Sequence, residues 1–317
     1  MATINSVTGP IDSADMGFTL MHEHVLVAAS GLTQSYPDLL GQNYETRAIE
    51  CLKRAKANGI DTMLDATTFD LGRDPRLLQR VAAASGVKLI NVTGWWLDVP
   101  RFMHGVGANQ MADEFVRDLT EGFRGTDIKA GMLKCAADFE GVTPPLETMA
   151  RAVARAHVQT GVPIMVHSYP TGHVARRQIQ IFREEGVDLS RVKIDHCNDT
   201  TDTEYLEWIL AQGCFLGLDR CPGRHVSPHM RTVTLKRLID MGYGERLCPS
   251  HDCICLHIHN EQADGSIETE HVFQRSNPDQ FLYMQRHVIP DLLAMGATEQ
   301  DIHMLFVDNP RRLFEGR

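Results

Sequence analysis

Two histidines stand one residue apart in the segment TLMHEHVLV, residues 19–27, which is otherwise mostly apolar. Successive side chains of a β-strand point to opposite faces, so His22 and His24 project from one face and Glu23 from the other. Imidazole nitrogens are common ligands of zinc and related cations. The pair therefore indicates half of a metal site, although the same short spacing also occurs at polar strand ends that have no such role.

Residues of metal-ligand type recur near the ends of four later apolar segments. They are Lys134 after AGML, His167 after GVPIMV, His196 after RVKID and Asp252 after RLCPSH. Each alone has an ordinary explanation, such as a structural histidine, a helix N-cap or a lysine whose head group reaches water. Six such residues at the ends of five predicted strands favour one common site instead.

The apolar segments number eight, and longer segments with helical period lie between them. The eight runs are 17–24, 59–67, 87–94, 128–134, 161–167, 191–196, 213–220 and 246–252, and the helical segments include 45–59, 111–125, 144–161 and 201–213, all of which end in glycine. Eight strand–helix units predict a (β/α)8 TIM barrel, whose active site lies where the strands end. A doubly wound sheet is the alternative, but the first strand is not followed by its Gly-rich phosphate loop. With no linker-like tract, residues 1–317 are predicted to form one domain.

Lys134 needs separate treatment, because an ammonium group beside metal cations is strongly unfavourable. Burial and nearby cations disfavour the charged amine and lower its pKa. A neutral amine can add carbon dioxide and become a carbamate, an anion with two oxygens that can bridge two cations. A lysine paired with a neighbouring carboxylate is the alternative that the sequence leaves open.

Composition limits the class of protein. Of 317 residues, 43% are apolar and 23% charged, and the formal net charge is −10. This negative charge argues against a nucleic-acid partner. No segment resembles a secretion signal or approaches the roughly 18 apolar residues of a membrane span, so we expect a cytoplasmic protein. The eight scattered cysteines are typical of reduced thiols, and the Cys253–Cys255 pair is either a metal-binding motif or two small structural residues.

The chain resembles the phosphotriesterase family of the amidohydrolase superfamily, including its phosphotriesterase-like lactonases. The resemblance runs along the whole chain and is carried by GPIDSADMGFTLMHEH, IKAGMLKCA, GVPIMVHSYP, FREEGVDLSRVKIDHCNDTTD, GLDR, SHD and VDNPRRLF. It implies a binuclear metal centre in which His22, His24 and Asp252 hold the more buried ion. His167 and His196 would hold the more exposed ion, and N6-carboxylated Lys134 and a hydroxide would bridge the two. Asp252 would also orient the hydroxide and take up its proton.

Two divalent cations are thus the predicted cofactors. Histidine with carboxylate-type oxygens accepts zinc, which we favour, as well as cobalt, manganese or iron. A hydroxide held between two cations needs no side-chain nucleophile, and the chain has no G-x-S-x-G elbow. The resemblance also implies a homodimer.

The residues expected to contact substrate give mixed indications. Arg220, after Asp219 in GLDR, resembles the lactonases, whereas the specialised phosphotriesterases have histidine at this position. Trp96 stands where lactonases commonly have tyrosine, and it resembles the phosphotriesterases. Trp95 is a second candidate, although a role in the core is the simpler interpretation.

Two further segments depart from a simple barrel pattern. DHCND, residues 195–199, has Asp195 and Asn198 in place of the glycines of the common G-H-x-G-D pattern, and Asp199 is expected to support a ligand histidine. The long segment 253–284 is predicted to be a loop that shapes the substrate pocket, with Phe273 as a substrate contact and with His257 and His259 as pocket or anchoring residues.

The favoured function is a binuclear metal-dependent hydrolase that acts on lactones, acyl-homoserine lactones among them, with promiscuous activity on organophosphate triesters. A dedicated phosphotriesterase or aryl esterase is the alternative, which Trp96 favours and Arg220 opposes. A non-catalytic barrel with a structural metal is a third interpretation. The full set of six ligand residues argues against it.

Overall fold

A closed barrel of parallel strands organises the chain. The computed structural model describes residues 1–41, 43–223, 225–257 and 277–316, together with the backbone of two short paired strands, Asn260–Glu261 and Ile267–Glu268. An N-terminal hairpin, β1 Thr3–Ser6 and β2 Gly9–Asp12, precedes the barrel. The eight barrel strands are β3 Thr19–Val27, β4 Thr62–Asp65, β5 Lys88–Gly94, β6 Met132–Ala136, β7 Ile164–His167, β8 Val192–Ile194, β9 Phe215–Leu218 and β10 Leu247–Pro249.

Each barrel strand pairs in parallel with the next one along the chain, from β3 to β10. The segment after β10 closes the ring, because the Asp252 N–H bonds to the carbonyl of His22 at 3.1 Å and the His24 N–H bonds to that of Cys253 at 2.9 Å. A further strand, β11 Ile254–His257, then runs parallel to β3. This sequential order confirms the TIM barrel and excludes the doubly wound sheet.

Helices follow the strands and cover the outside of the barrel. They are α1 Leu32–Ser35, α2 Tyr44–Ala57, α3 Pro75–Ser85, α4 Ala108–Thr120, α5 Pro144–Thr160, α6 Ala175–Glu184, α7 Thr203–Ala211, α8 Pro228–Leu238, α9 Ile289–Ala294, α10 Glu299–His303 and α11 Asn309–Glu315. Gly161 ends α5 with a left-handed φ of 70°, as predicted. By contrast α4 ends at Thr120, five residues before the predicted Gly125. Its C-cap is Glu121, whose backbone N–H donates to the carbonyl of Arg117.

The apolar side chains form two cores. A large core fills the space between the barrel and the helices, and a smaller one fills the barrel itself with side chains such as Met21, Leu64, Val92, Met165 and Phe215. Because apolar residues close the lower part of the barrel, its polar residues collect at the carboxyl ends of the strands. This is where a barrel places its active site.

Several strand bounds differ from the sequence prediction. β8 ends at Ile194 and β10 at Pro249, so His196 and Asp252 lie just beyond their strands. Both adopt left-handed backbone angles, with φ of 63° and 53°. Such angles are uncommon outside glycine and are retained where the surroundings hold the residue in place, often at functional sites. The predicted loop 253–284 in turn begins with the strand β11.

The cysteines and the helices bear on two of the expectations from composition. None of the eight cysteines, all of which lie in the described residues, is in a disulfide, and Cys253 and Cys255 are buried side chains of the large core. In the described part of the chain, no helix has both the length and the apolar character that crossing a membrane requires.

Candidate metal centre

Six predicted ligands surround the carboxyl-terminal mouth of the barrel, and two of the histidines face one oxygen of Asp252. Nε2 of His24 lies 3.2 Å from Oδ1 of Asp252, and Nε2 of His22 lies 3.4 Å from the same oxygen. Potential ligand atoms of His22, His196 and Asp252 all lie within 4.8 Å of one another. The ligand atoms that lie together are thus those of His22, His196 and Asp252, and His24 reaches the same oxygen of Asp252 from β3.

A second pair of imidazoles lies beside the first group. Nδ1 of His167, at the end of β7, is 2.7 Å from Nε2 of His196. The indole Nε1 of Trp96 donates a hydrogen bond to the same His167 nitrogen at 3.1 Å. His167 and His196 thus direct two ring nitrogens at one point, as two ligands of a second cation would.

The rear nitrogens of these histidines face fixed acceptors. Nδ1 of His22 lies 3.0 Å from Asp219 and 3.1 Å from Asp195, and Nδ1 of His196 lies 3.0 Å from Asp219. Nδ1 of His24 lies 2.8 Å from the hydroxyl of Thr67. Carboxylates and hydroxyls behind a metal-binding histidine fix its tautomer and orient the ring. Here they leave the Nε2 atoms of all three rings free to face the site.

Lys134 is buried in β6, with 1% of its surface exposed. Its Nζ donates to the carbonyl of Ala66 at 2.8 Å, and no carboxylate of the described residues forms an ion pair with it. Burial lowers its pKa. Among the described residues, Lys134 is therefore not paired with a carboxylate. A lowered pKa favours the neutral amine, and carbamate formation requires a neutral amine.

Glu23, which points away from the two histidines, holds the turn that carries Asp252. Its Oε1 accepts hydrogen bonds from the hydroxyl of Ser250 at 2.7 Å and from the backbone of His251 at 3.0 Å, and its Oε2 accepts from the backbone of Cys253 at 3.0 Å. These bonds bracket Asp252 on both sides. They explain how a non-glycine residue is kept in the left-handed region.

Charges in the centre are set by burial and by the carboxylates. Burial alone would lower the pKa of His22, but Asp219, Asp195 and Asp252 outweigh it and raise the pKa to about 9. Burial lowers the pKa of His167 to about 4, and burial together with Arg220 lowers that of His196 well below its usual value. His167 and His196 are therefore neutral at pH 7, as metal ligands must be.

Asp252 is an ionised carboxylate. Burial would raise its pKa, but the neighbouring His22, His24 and Arg220 hold it well below the usual range. Nε of Arg220 donates to Oδ2 of Asp252 at 3.1 Å. Asp252 therefore presents one oxygen to the histidines and the other to a guanidinium.

The side chain of Asp199 has two arginines as its partners in the described part of the chain. The Asp199 side chain accepts a hydrogen bond from Arg220 at 2.6 Å and one from the buried Arg231 at 2.7 Å, and its contact with a ligand histidine is through the backbone, where its N–H donates to the carbonyl of His196 at 2.9 Å. The carboxylate behind the histidines is Asp219, which lies directly beyond β9 between the two rings. Asp199 instead anchors Arg220. The ion pair between them is mostly buried, since only 30% of the Arg220 side chain is exposed.

The two tryptophans go to different places. Trp96 lies beside His167, whereas Trp95 is 5% exposed and packs edge-on against Phe115 with ring centroids 4.9 Å apart. Trp95 thus packs in the core, and its expected contact with substrate stays a prediction. Phe273 and His259 lie outside the described residues, and His257 is buried at the end of β11.

A cavity of about 230 Å³ opens beside the cluster. Arg220, Cys221, Asp252 and Cys253 are among the residues that line it. A substrate can therefore reach Asp252 from the side of the loops that follow β9 and β10.

Sequence reasoning missed the residues that support the ligands. No sequence pattern assigns a supporting role to Asp219, Thr67 or Asp138, although Thr67 lies 2.8 Å from Nδ1 of His24 and Asp138 lies 3.3 Å from Nε2 of His167. Asp195 carried a signal, because an acidic residue replaced an expected glycine directly before a ligand histidine. Contacts across the barrel between different strands have no local sequence signature.

Comparison with known proteins identifies the family. The profile of the phosphotriesterase family matches residues 2–314. This chain belongs to the phosphotriesterase family. A phosphotriesterase homology protein of Mycobacterium tuberculosis is 40% identical over 329 residues, covering 99% of this chain and 98% of that protein. The solved structure of the phosphotriesterase from M. tuberculosis, also 40% identical, superposes with a TM-score of 0.91 and covers 99% of this chain and 98% of the other.

Two other relatives carry the names of hydrolases. An aryldialkylphosphatase of Saccharolobus solfataricus is 35% identical over 309 residues, covering 96% of each chain. An N-acetyltaurine hydrolase of Dictyostelium discoideum is 28% identical over 281 residues, covering 84% of this chain and 72% of that protein. The family thus includes proteins named for hydrolysis of phosphate esters and of an amide.

Proposed function

We propose that this chain is a metal-dependent hydrolase that acts on lactones, with organophosphate triesters as a secondary class of substrate. The observation that carries the proposal is the convergence of His22, His24, His167, His196, Lys134 and Asp252 at the mouth of the barrel. When bound, a pair of divalent cations supplies a water activated at neutral pH and polarises the carbonyl or phosphoryl oxygen of the substrate.

The donor set fits two cations. His22, His24 and Asp252 supply two nitrogens and an oxygen, and His167 and His196 supply two nitrogens at a separate point. Lys134, carboxylated by CO2, would add one oxygen to each. Zinc is the favoured metal, because imidazole and carboxylate oxygens suit it and tolerate an open coordination position.

Proton movement and substrate orientation belong to the chain's own residues. Asp252 is ionised and partly exposed, so it can accept the proton that the attacking water loses. Arg220 holds the second oxygen of Asp252 and lines the cavity, where its guanidinium can also bind an oxygen of the substrate. Trp96 adds an apolar wall beside His167.

Arg220 is the reason for favouring lactones. Its head group is anchored between Asp199 and Asp252 and is 30% exposed on the cavity side, which suits a donor to a polar ring. A dedicated phosphotriesterase or aryl esterase remains the second candidate. Trp96 supports it, since an indole offers no hydroxyl to orient a carbonyl, and so does the similarity to an aryldialkylphosphatase of S. solfataricus.

One side-by-side assay on metal-reconstituted protein distinguishes the two. It measures kcat/KM for γ- and δ-lactones, including acyl-homoserine lactones, beside paraoxon and a simple aryl ester. A much higher value on a lactone supports the proposal, and a higher value on the triester or aryl ester supports the second candidate. Turnover of none of them by protein that holds two ions would favour a non-catalytic barrel and contradict both.

A further inference from the structure

Strand β8 places a charged pair inside the barrel, directly below the metal centre. Lys193 lies in the strand and Asp195 follows its end, two residues on, so both side chains point into the barrel. Neither has any exposed surface. The level around them is otherwise apolar, with Met165 and Phe215 on the neighbouring strands.

Lys193 and Asp195 are hydrogen-bonded to each other, and Asp195 also contacts a ligand histidine. The ammonium of Lys193 donates to Oδ1 of Asp195, and Oδ2 of Asp195 lies 3.1 Å from Nδ1 of His22. Lys193 is also 3.9 Å from Oδ2 of Asp219. A chain of contacts thus runs from Lys193 through Asp195 to the rear of His22.

The neighbouring strand leaves room for this carboxylate. A Cβ atom on Gly217 in β9 would lie 2.2 Å from Oδ1 of Asp195 and 2.7 Å from Oδ2 of Asp219. Any other residue at 217 would therefore press on both carboxylates that face Nδ1 of His22. Gly217 leaves room for Asp195 and Asp219 together behind His22.

Asp219 serves two histidines and Asp195 serves one of them. Oδ1 of Asp219 accepts from the backbone N–H of His196 at 2.8 Å and faces Nδ1 of the same residue at 3.0 Å, while its Oδ2 lies 3.0 Å from Nδ1 of His22, which Asp195 also faces. Asp195 has no second histidine to support, and its other oxygen is neutralised by Lys193. A buried ion pair contributes little net stability compared with apolar side chains of the same volume, so its retention needs another reason.

A cation bound between His22, Asp195 and Asp219 does not supply that reason. Ligand-type atoms of these three residues lie within 4.8 Å of one another, but the ammonium of Lys193 is bonded at the same place. A second positive charge there would be repelled.

We propose that Asp195, with Lys193 as its counter-charge, is a positioning residue that orients His22 and tightens the cation held by His22, His24 and Asp252. This inference rests on the proposed function, in which that cation is present. It adds a second carboxylate behind one ligand, at a position where the resemblance predicts glycine. Partners of this kind change metal affinity about 10–100-fold.

Two variants separate the role of Asp195 from a simple effect on folding. Asp195→Asn keeps the shape and removes the charge. The double variant Lys193→Met/Asp195→Gly removes both charges, and so avoids an unpaired buried lysine. Asp118→Asn is the matched control, because Asp118 is a mostly buried carboxylate that accepts from Thr93 at 2.6 Å and lies 3.7 Å from Arg73.

The measurement is the release of Zn²⁺ from each reconstituted protein to a chelator, with the absorption spectrum of the Co²⁺ form as a report on ligand geometry. We expect the slower of two release phases in the wild type to be about 10–100-fold faster in both Asp195 variants. The Co²⁺ spectrum should change in both variants. Asp118→Asn should match the wild type.

Wild-type release kinetics in Asp195→Asn would overturn the inference. Faster release in Asp195→Asn but not in the double variant would also overturn it, because the unpaired Lys193 would then be the cause. A wild-type protein that holds no divalent cation would instead contradict the proposed function.

Discussion

Replacing Lys134 with methionine is expected to separate metal binding from folding. Methionine keeps the buried, unbranched stem in β6 but cannot form a carbamate. The change removes one hydrogen bond, from Nζ to the carbonyl of Ala66. It also removes a buried amine that has no ion-pair partner among the described residues.

The two effects on the metal-free protein are of opposite sign. Leaving the Ala66 carbonyl without its partner costs about 1–3 kcal/mol. Burying the Lys134 amine is itself unfavourable by a comparable amount, so its removal offsets this cost. At about 2.1 cal/mol/K per residue, 317 residues give an unfolding entropy of about 0.7 kcal/mol/K, so a net change of about 2 kcal/mol moves Tm by about 3 °C.

The effect on the metal-bound protein should be larger. A cation at 100 times its Kd stabilises the folded state by about 2.7 kcal/mol, which raises Tm by about 4 °C for each ion. If loss of the bridge weakens binding about 100-fold, the same metal concentration gives only about 0.4 kcal/mol, or less than about 1 °C. We therefore expect Lys134→Met to lose the metal-induced rise in Tm and the hydrolytic activity together.

The assay is thermal unfolding of chelator-treated protein with and without Zn²⁺. Lys134→Ala leaves space for a short carboxylic acid, so adding acetate or propionate should restore part of the Tm rise in this variant but none in Lys134→Met. Cys135→Ala is the control, since it alters the next residue of the same strand without touching the cluster. A full metal-induced rise in Lys134→Met without added acid would refute the bridging role.

Three other predictions follow from the same geometry. Asp252→Asn should keep the fold but lower kcat about 10²–10⁴-fold, because the proton acceptor is lost; unimpaired turnover would exclude that role. The metal-free protein should be most stable near pH 6.5. The free energy of unfolding should fall as the pH drops from 6.5 towards 4, because the unfolded chain then binds a proton at His167 that the folded protein does not. It should also fall as the pH rises from 6.5 towards 9, because the stabilisation from the proton held on folded His22 is then lost. Denaturant unfolding across this range checks both limbs, and a flat profile contradicts them. Arg220→His should lower the ratio of lactone to paraoxon kcat/KM, and an unchanged ratio would show that Arg220 does not set the preference.

The sequence was sufficient to predict the barrel and the convergence of its polar residues. Apolar runs that end in histidine, lysine or aspartate mark where parallel strands open, and their order along the chain places them around one mouth. The exact ends were less predictable. His196 and Asp252 leave their strands in left-handed conformations that Asp219 and Glu23 stabilise through long-range hydrogen bonds.

The supporting residues were not predictable for a related reason. The contact between His22 and Asp195 joins residues 173 positions apart, and the space for it depends on Gly217 in a third segment. No local pattern encodes such a contact. Resemblance to the phosphotriesterase family predicts the ligand set, but it also predicts glycine at 195. It leads us to expect that Asp199 supports a ligand histidine, whereas the described side-chain contacts of Asp199 are with Arg220 and Arg231.

The most direct test is metal content together with hydrolysis before and after chelation. We expect about two divalent cations per chain, loss of ester or lactone hydrolysis when both are removed, and its return when Zn²⁺ and bicarbonate are added back. Hydrolysis that survives complete removal of metal would contradict the proposed metal-dependent chemistry, and so would a folded, active protein that binds one ion or none.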